Sequence, residues 1–208
     1  MSYDAFLELK CAILSCQHCA EVLPNPPEPI LQIHPDAKLL IAGQAPGQKT
    51  HDIGRPFDDL SGERLRDWLG LASHEFYDEQ QVAILPMGFC FPGNSLHKSG
   101  PSAGKKSGDL PPRPECSAKW REDVLKQLHN IELTIVLGAY AQAYHLGTSG
   151  KVTEQVKQWQ YWLEQGKIVL PHPSPRNNRW LKQNPWFEAD VLPELKLRIS
   201  RLLQTSSS

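Results

Sequence analysis

The sequence predicts an α/β fold, a three-layer sandwich around a central, mainly parallel sheet of four strands. Two observations carry this. Four short apolar runs, LLIAG (39–43), VAILPMG (82–88), LTIVLG (133–138) and KIVLP (167–171), each stop at glycine or proline and read as buried strands. Between them lie segments whose apolar residues recur at three- and four-residue spacing, and strands alternating with helices make a parallel sheet covered on both faces.

In chain order, residues 3–19 predict a helix with Phe6, Leu7, Leu9, Ile13 and Leu14 as its apolar positions. The proline-rich VLPNPPEP ends it and runs extended, because each proline disfavours helix in the residue before it. Residues 61–71, SGERLRDWLGL, open with Ser61 as N-cap and place Leu65, Trp68 and Leu69 on one face. Between the second strand and the next helix lies FPGNSLHKSGPSAGKKSGDLPPR, too long for a plain connection and expected to be functional or partly disordered. A helix over 113–129 begins with Pro114, suited to a first turn. Further helices run through Ala141 and Tyr144, over 152–164, and over 186–203 with Leu192, Leu195, Ile199 and Leu202 as the stripe. No repeat or linker divides the chain, so one domain is expected over 1–204, followed by a disordered tail at 205–208.

With 22 Lys and Arg against 23 Asp and Glu, the chain is neither a histone-like polycation nor an acidic solvating tail. A nucleic-acid partner stays open, since it needs a local basic surface rather than a basic total. No apolar run reaches the roughly 20 residues that cross a bilayer, and MSYDAFLELK lacks the order of a secretion signal. The expectation is a cytoplasmic protein without a membrane partner. In a reducing compartment the five cysteines then suggest metal or redox chemistry rather than disulfides.

The first strand runs into LLIAGQAPGQKTHDIGRPF, residues 39–57. Ligands of open α/β sheets sit beyond the carboxyl ends of strands, and Gly43 and Gly47 bracket a turn with exposed backbone N–H groups. Neither GxGxxG nor GK[ST] is present, so no phosphate cradle is indicated. GQAPG followed by GRPF (Gly54, Pro56, Phe57), together with the later IVLPHPSPR, resembles the two motifs of uracil-DNA glycosylases, closest to their iron–sulfur branch.

The resemblance implies a DNA N-glycosylase of base-excision repair, a hydrolase acting as a monomer on a uracil or another deaminated base flipped out of DNA. Phe57 would stack on that base, and His172 would hydrogen-bond the base carbonyl on which negative charge grows. Gly43, Ala45, Pro46, Gly47 and Ser174 would line the base site, with backbone N–H groups near Gln44 and Ala45 holding the base or the water. Gln44 stands where the branch carries glutamate, and the acid usual near Thr50 is missing, so Asp52 and His51 are the nearest ionisable substitutes. Pro86 stands where relatives carry an asparagine that reads uracil, which implies an altered choice of base.

The resemblance extends to the cysteines. Cys16 and Cys19 form C-x2-C, Cys90 follows the second strand, and Cys116 lies in the first turn of the next helix. Four thiolates hold a [4Fe-4S] cluster or a tetrahedral zinc. Spacing does not choose between them; the resemblance favours iron–sulfur, with a structural role. Cys11 is expected on the buried face of its helix.

Two acid-poor segments complete the picture. Lys98, Lys105 and Lys106 lie in the long loop, and Arg176 and Arg179 follow the histidine motif. These residues are expected to hold DNA phosphates, the 97–106 loop crossing the backbone and Arg176 or Arg179 entering the groove. Two other readings compete with a glycosylase: a non-catalytic binder of damaged or single-stranded DNA, and a metal-stabilised enzyme of free nucleotides or nucleosides.

Overall fold

The computed structural model describes residues 3–204 apart from 97, 100, 101 and 149. The tail at 205–208 and part of the 97–106 loop therefore lie outside the described residues. Four strands, β1 (Leu39–Ala42), β2 (Val82–Ile84), β5 (Leu133–Leu137) and β6 (Lys167–Leu170), form one sheet in the order β2-β1-β5-β6, with all three pairings parallel. The strands β3 (Asn94–Leu96) and β4 (Lys106–Asp109) form a separate antiparallel hairpin.

Alternation along the strands builds two cores. Leu39, Ile41, Val82 and Ile84 face one way, against α3 (Leu60–Leu69) and α10 (Leu192–Gln204). Leu40, Ala83 and Leu85 face the other way, against α1 (Tyr3–Leu14) and α5 (Pro114–Gln127). Strand order reverses at β1, and β1 delivers the GQAPG loop to the carboxyl edge of the sheet, where ligands of such sheets bind.

Several expectations need correction. The first helix stops at Leu14 and buries Phe6 and Ile13, while Leu7 and Leu14 are exposed. Cys11 is exposed, because five residues from Phe6 at 100° per residue carry it to the opposite face. The N-cap of α3 is Asp59, whose carboxylate accepts from Gly62 N–H at 2.9 Å, so Ser61 already lies inside the helix. Two short helices, α2 (Gln48–Ile53) and α4 (Ser73–Phe76), were invisible as apolar periodicity; α2 buries no side chain. The expected 152–164 helix breaks at Gln158 into α7 (Val152–Lys157) and α8 (Trp159–Glu164). After α6 (Gly138–Leu146) and α9 (Asn178–Gln183), a π-helical turn at Phe187–Val191 leads into α10.

One buried cation ties the layers together. Arg121 on α5 is fully buried; its Nη1 donates to the Leu85 and Pro86 carbonyls at 3.2 and 2.8 Å, and its Nη2 contacts His145 Nε2 at 2.6 Å. Burial holds Arg121 down at about 10, still cationic, and together with Arg121 and Lys167 pushes His145 down to about 3. His145 is therefore neutral and accepts from the guanidinium. In the unfolded chain it protonates near 6.5. Between these values the unfolded state binds more protons, so stability is lost as pH falls from 6.5 towards 3. His145→Gln keeps an acceptor but cannot titrate. Denaturant unfolding at pH 6.5 and 4.5 should show a wild-type loss on the order of 1–3 kcal/mol that the variant lacks.

Candidate functional site

The carboxyl edges of β1, β2 and β6 open into a cleft of about 840 Å³. Its walls are the turn Gly43 to Gly47 with Gln48 to Thr50, then Phe57 and Asp59, then Ile84 and Pro86 after β2. His172, Ser174 and Arg176 close the third side, and Ser107 to Asp109 of the hairpin close the fourth. Backbone bonds continue past the end of β2, with Met87 N–H donating to Gly43 and Gly88 N–H to Gln44, which fixes the turn against the Pro86 segment.

His172 sits in a braced loop. Arg64 Nη1 donates to the Pro173 and Ser174 carbonyls, both at 3.3 Å, and Asn177 Nδ2 to the His172 carbonyl at 2.7 Å. Ser174 N–H donates to Nδ1 of the ring at 3.2 Å. Desolvation pulls the imidazole below its ordinary value, against the opposing pull of Asp59 and Asp109. The ring is thus neutral, and with Nδ1 accepting, its proton is on Nε2. His172 is a hydrogen-bond donor on the cleft wall.

Phe57 adopts φ 54°, in the left-handed region that a bulky side chain avoids. Its carbonyl accepts from Arg66 Nη1 and from Tyr77 Oη, both at 3.1 Å. A β-carbon on Gly62 would fall 1.6 Å from that carbonyl oxygen. The strained backbone is over-determined by its surroundings, a pattern that clusters at functional sites. The ring itself packs edge-on against Phe76 at 6.3 Å and faces the cleft.

The structure brings Gly43, Gln44, Ala45, Pro46, Gly47, Phe57, His172, Ser174, Arg176 and Lys106's neighbours on β4 around one cavity. It does not bring Asp52 or His51 there. Asp52 accepts from Gln48 Nε2 at 2.9 Å, His51 turns towards Glu28 at 3.3 Å and the Phe91 ring, and neither lines the cleft. Lys98, Lys105, Lys106 and Arg179 are exposed, outside the cleft walls. Asp59 and Asp109 are the carboxylates among the lining residues, and the sequence reading passed over both. Asp59 was hidden by its place beside a helix start, and Asp109 by a polar hairpin without alternation.

Cys16, Cys19, Cys90 and Cys116 line a second, smaller cavity of about 20 Å³ with Phe89 and Trp120, and none forms a disulfide. Phe89 N–H donates to Cys116 Sγ at 3.4 Å, and the backbone of Glu28 hydrogen-bonds Cys90. Burial pushes the Cys90 thiol up to about 12 and the Cys116 thiol up to about 11, partly offset by these backbone donors. Among the described residues no three His, Cys, Asp or Glu side chains converge closely enough to hold a single metal ion.

A braced histidine, a glycine–proline turn and a strained aromatic thus share one strand-edge cleft of an α/β sheet. The model of the uracil DNA glycosylase superfamily matches residues 31–196, and the chain belongs to that superfamily. The chain is also similar to the solution structure of a candidate uracil DNA glycosylase from Methanosarcina acetivorans. The two share 14% identity over 83% of this chain and 94% of that one, with a TM-score of 0.43. No described helix is long and apolar enough to cross a membrane.

The Gly62 contact makes a direct test of the Phe57 strain. Gly62→Ala must displace the Phe57 carbonyl, and denaturant unfolding should show a loss of about 1–3 kcal/mol, the usual cost of overpacking.

Proposed function

We propose that the chain is a DNA glycosylase that hydrolyses the N-glycosidic bond of a deaminated base flipped into the cleft, acting as a monomer. The neutral, braced His172 carries this reading. When the C1′–N bond breaks, its electron pair goes to the base, and charge builds on a base carbonyl. A fixed Nε2–H donor opposes that charge without reorganising, and one such donor is worth a few kcal/mol of barrier. Phe57 would stack on the base face, supplying affinity that every base shares. The turn at Gln44 and Ala45 would offer backbone N–H groups to the opposite edge.

Pro86 lines the cleft where relatives carry asparagine, and it has no amide to donate. Discrimination at that edge would rest on shape, which supports a deaminated base other than, or beside, uracil. Exposed Lys98, Lys105, Lys106, Arg176 and Arg179 would meet phosphates around the cleft.

Cys16, Cys19, Cys90 and Cys116, which line one small cavity, would hold a [4Fe-4S] cluster through their thiolates. Two backbone N–H groups directed at sulfurs suit thiolates. The cluster would tie the N-terminal turn, the segment after β2 and α5 together.

Excision should be measured on oligonucleotides bearing uracil, hypoxanthine or xanthine, in single and double strands. Wild type should leave an abasic site with at least one of them, and His172→Ala should slow that excision about 10²–10³-fold. DNA binding without product from any substrate would instead support a non-catalytic binder. Purified protein should be brown, absorb near about 400 nm and lose the colour in Cys90→Ser; a colourless zinc protein would overturn the cluster.

A further inference from the structure

The turn that should carry a carboxylate has Gln44, and Asp52 and His51 lie outside the cleft. Two acids nonetheless line it. Asp59 is committed to the fold, since its Oδ1 accepts from Gly62 N–H at the start of α3. Asp109 is not: among the described residues its side chain forms no hydrogen bond or ion pair, and it is open to water. It reaches the cleft from β4, and a β-carbon on Gly47 would come within 3.2 Å of its Oδ2. The carboxylate therefore stands over the same turn whose own acid is missing. Gly108 beside it has φ 150°, and a β-carbon there would fall 3.1 Å from Arg176 Nη1, so the hairpin and the histidine loop close on each other at this point.

We propose that Asp109, delivered by the β3–β4 hairpin, is the base that takes the proton from the attacking water. This rests on the glycosylase reading. The C1′–N bond breaks with its electron pair passing to the base, which His172 holds as an anion. A water oxygen bonds to C1′, and its proton passes to the Asp109 carboxylate. The proton then leaves through solvent to the departing base, giving a free neutral base and an abasic sugar, with the carboxylate restored.

Charge supports the assignment. A carboxylate at a face that meets phosphates is repelled by the ligand, so affinity alone gives no reason for it. Desolvation raises the Asp109 carboxyl above its ordinary value, opposed by Arg176, His172 and Lys106. Lys49 and Asp59 also line the cleft around it. A raised carboxyl is a better proton acceptor than an ordinary one, and the cationic Arg176 and Lys106 oppose the rise.

The test is single-turnover excision by wild type, Asp109→Asn and Asp109→Glu on whichever base wild type removes, with DNA affinity measured in parallel. Asp109→Asn should lower the rate at least about 100-fold, bind DNA as tightly as wild type or tighter, and lose the acid limb of the pH–rate profile. Asp109→Glu should restore part of the rate and keep that limb. An undiminished rate in Asp109→Asn beside an active wild type overturns the assignment alone. A rate loss matched by an equal loss of DNA affinity, with the pH profile unchanged, also overturns it and makes Asp109 a binding residue. If wild type excises nothing, the glycosylase reading and the assignment fall together.

Discussion

The buried guanidinium of Arg121 is the constraint on which the cleft depends. A fully buried cation is costly unless it is hydrogen-bonded. Arg121 directs Nη1 to two consecutive carbonyls at the exit from β2 and Nη2 to the neutral ring of His145, while its Nε has no partner among the described residues. The second of those carbonyls belongs to Pro86, on the cleft wall. The same helix carries Cys116 in its first turn, about one and a half turns before Arg121. The four-thiol cavity, the helix and the Pro86 wall of the cleft are thus linked through α5. Whatever fixes α5 at its start fixes the floor of the cleft.

The cleft applies the same economy at its other walls. His172 is held at its ring, its own carbonyl and the two carbonyls that follow, so in the proposed reaction its donor would need no reorganisation. Phe57 is held in a conformation its side chain would leave if released. Its restraints come from α3 and Tyr77, so the helix that packs the sheet also positions the aromatic face. Fixed dipoles and fixed stacking surfaces are what a reaction with developing charge uses best.

Much of the sheet was legible because parallel strands buried on both faces read as continuous apolar runs, and each of the four runs became a strand. The histidine and glycine–proline motifs were legible because they sit on strand ends, which the apolar runs already located. Short polar elements were not. The strands NSL and KSGD carry no apolar alternation, and α2 buries nothing, so neither left a periodic trace. Asp109 was lost with the hairpin that bears it. Asp52 and His51 looked near to the turn in sequence, yet neither lines the cleft: His51 faces Glu28 and Phe91, and Asp52 is bonded to Gln48. Proximity along a chain is a poor guide to proximity across a cleft.

Placing an acid on a hairpin instead of on the strand-end turn changes what the turn must do. A turn that carries its own carboxylate must hold the base edge and the water at once. Here the turn presents Gln44, uncharged, and its backbone stays braced to the Gly88 segment. The charge arrives from a separate two-stranded element, flanked by Arg176 and Lys106, which lower the repulsion that a bare carboxylate would exert on DNA. In the proposed reaction, departure of the base would leave an oxocarbenium-like sugar, and the acid that takes the water proton would stand on a separate element from the histidine. The division follows from the chemistry: the group opposing charge on the base needs a fixed place, and the group receiving a water proton needs access to water.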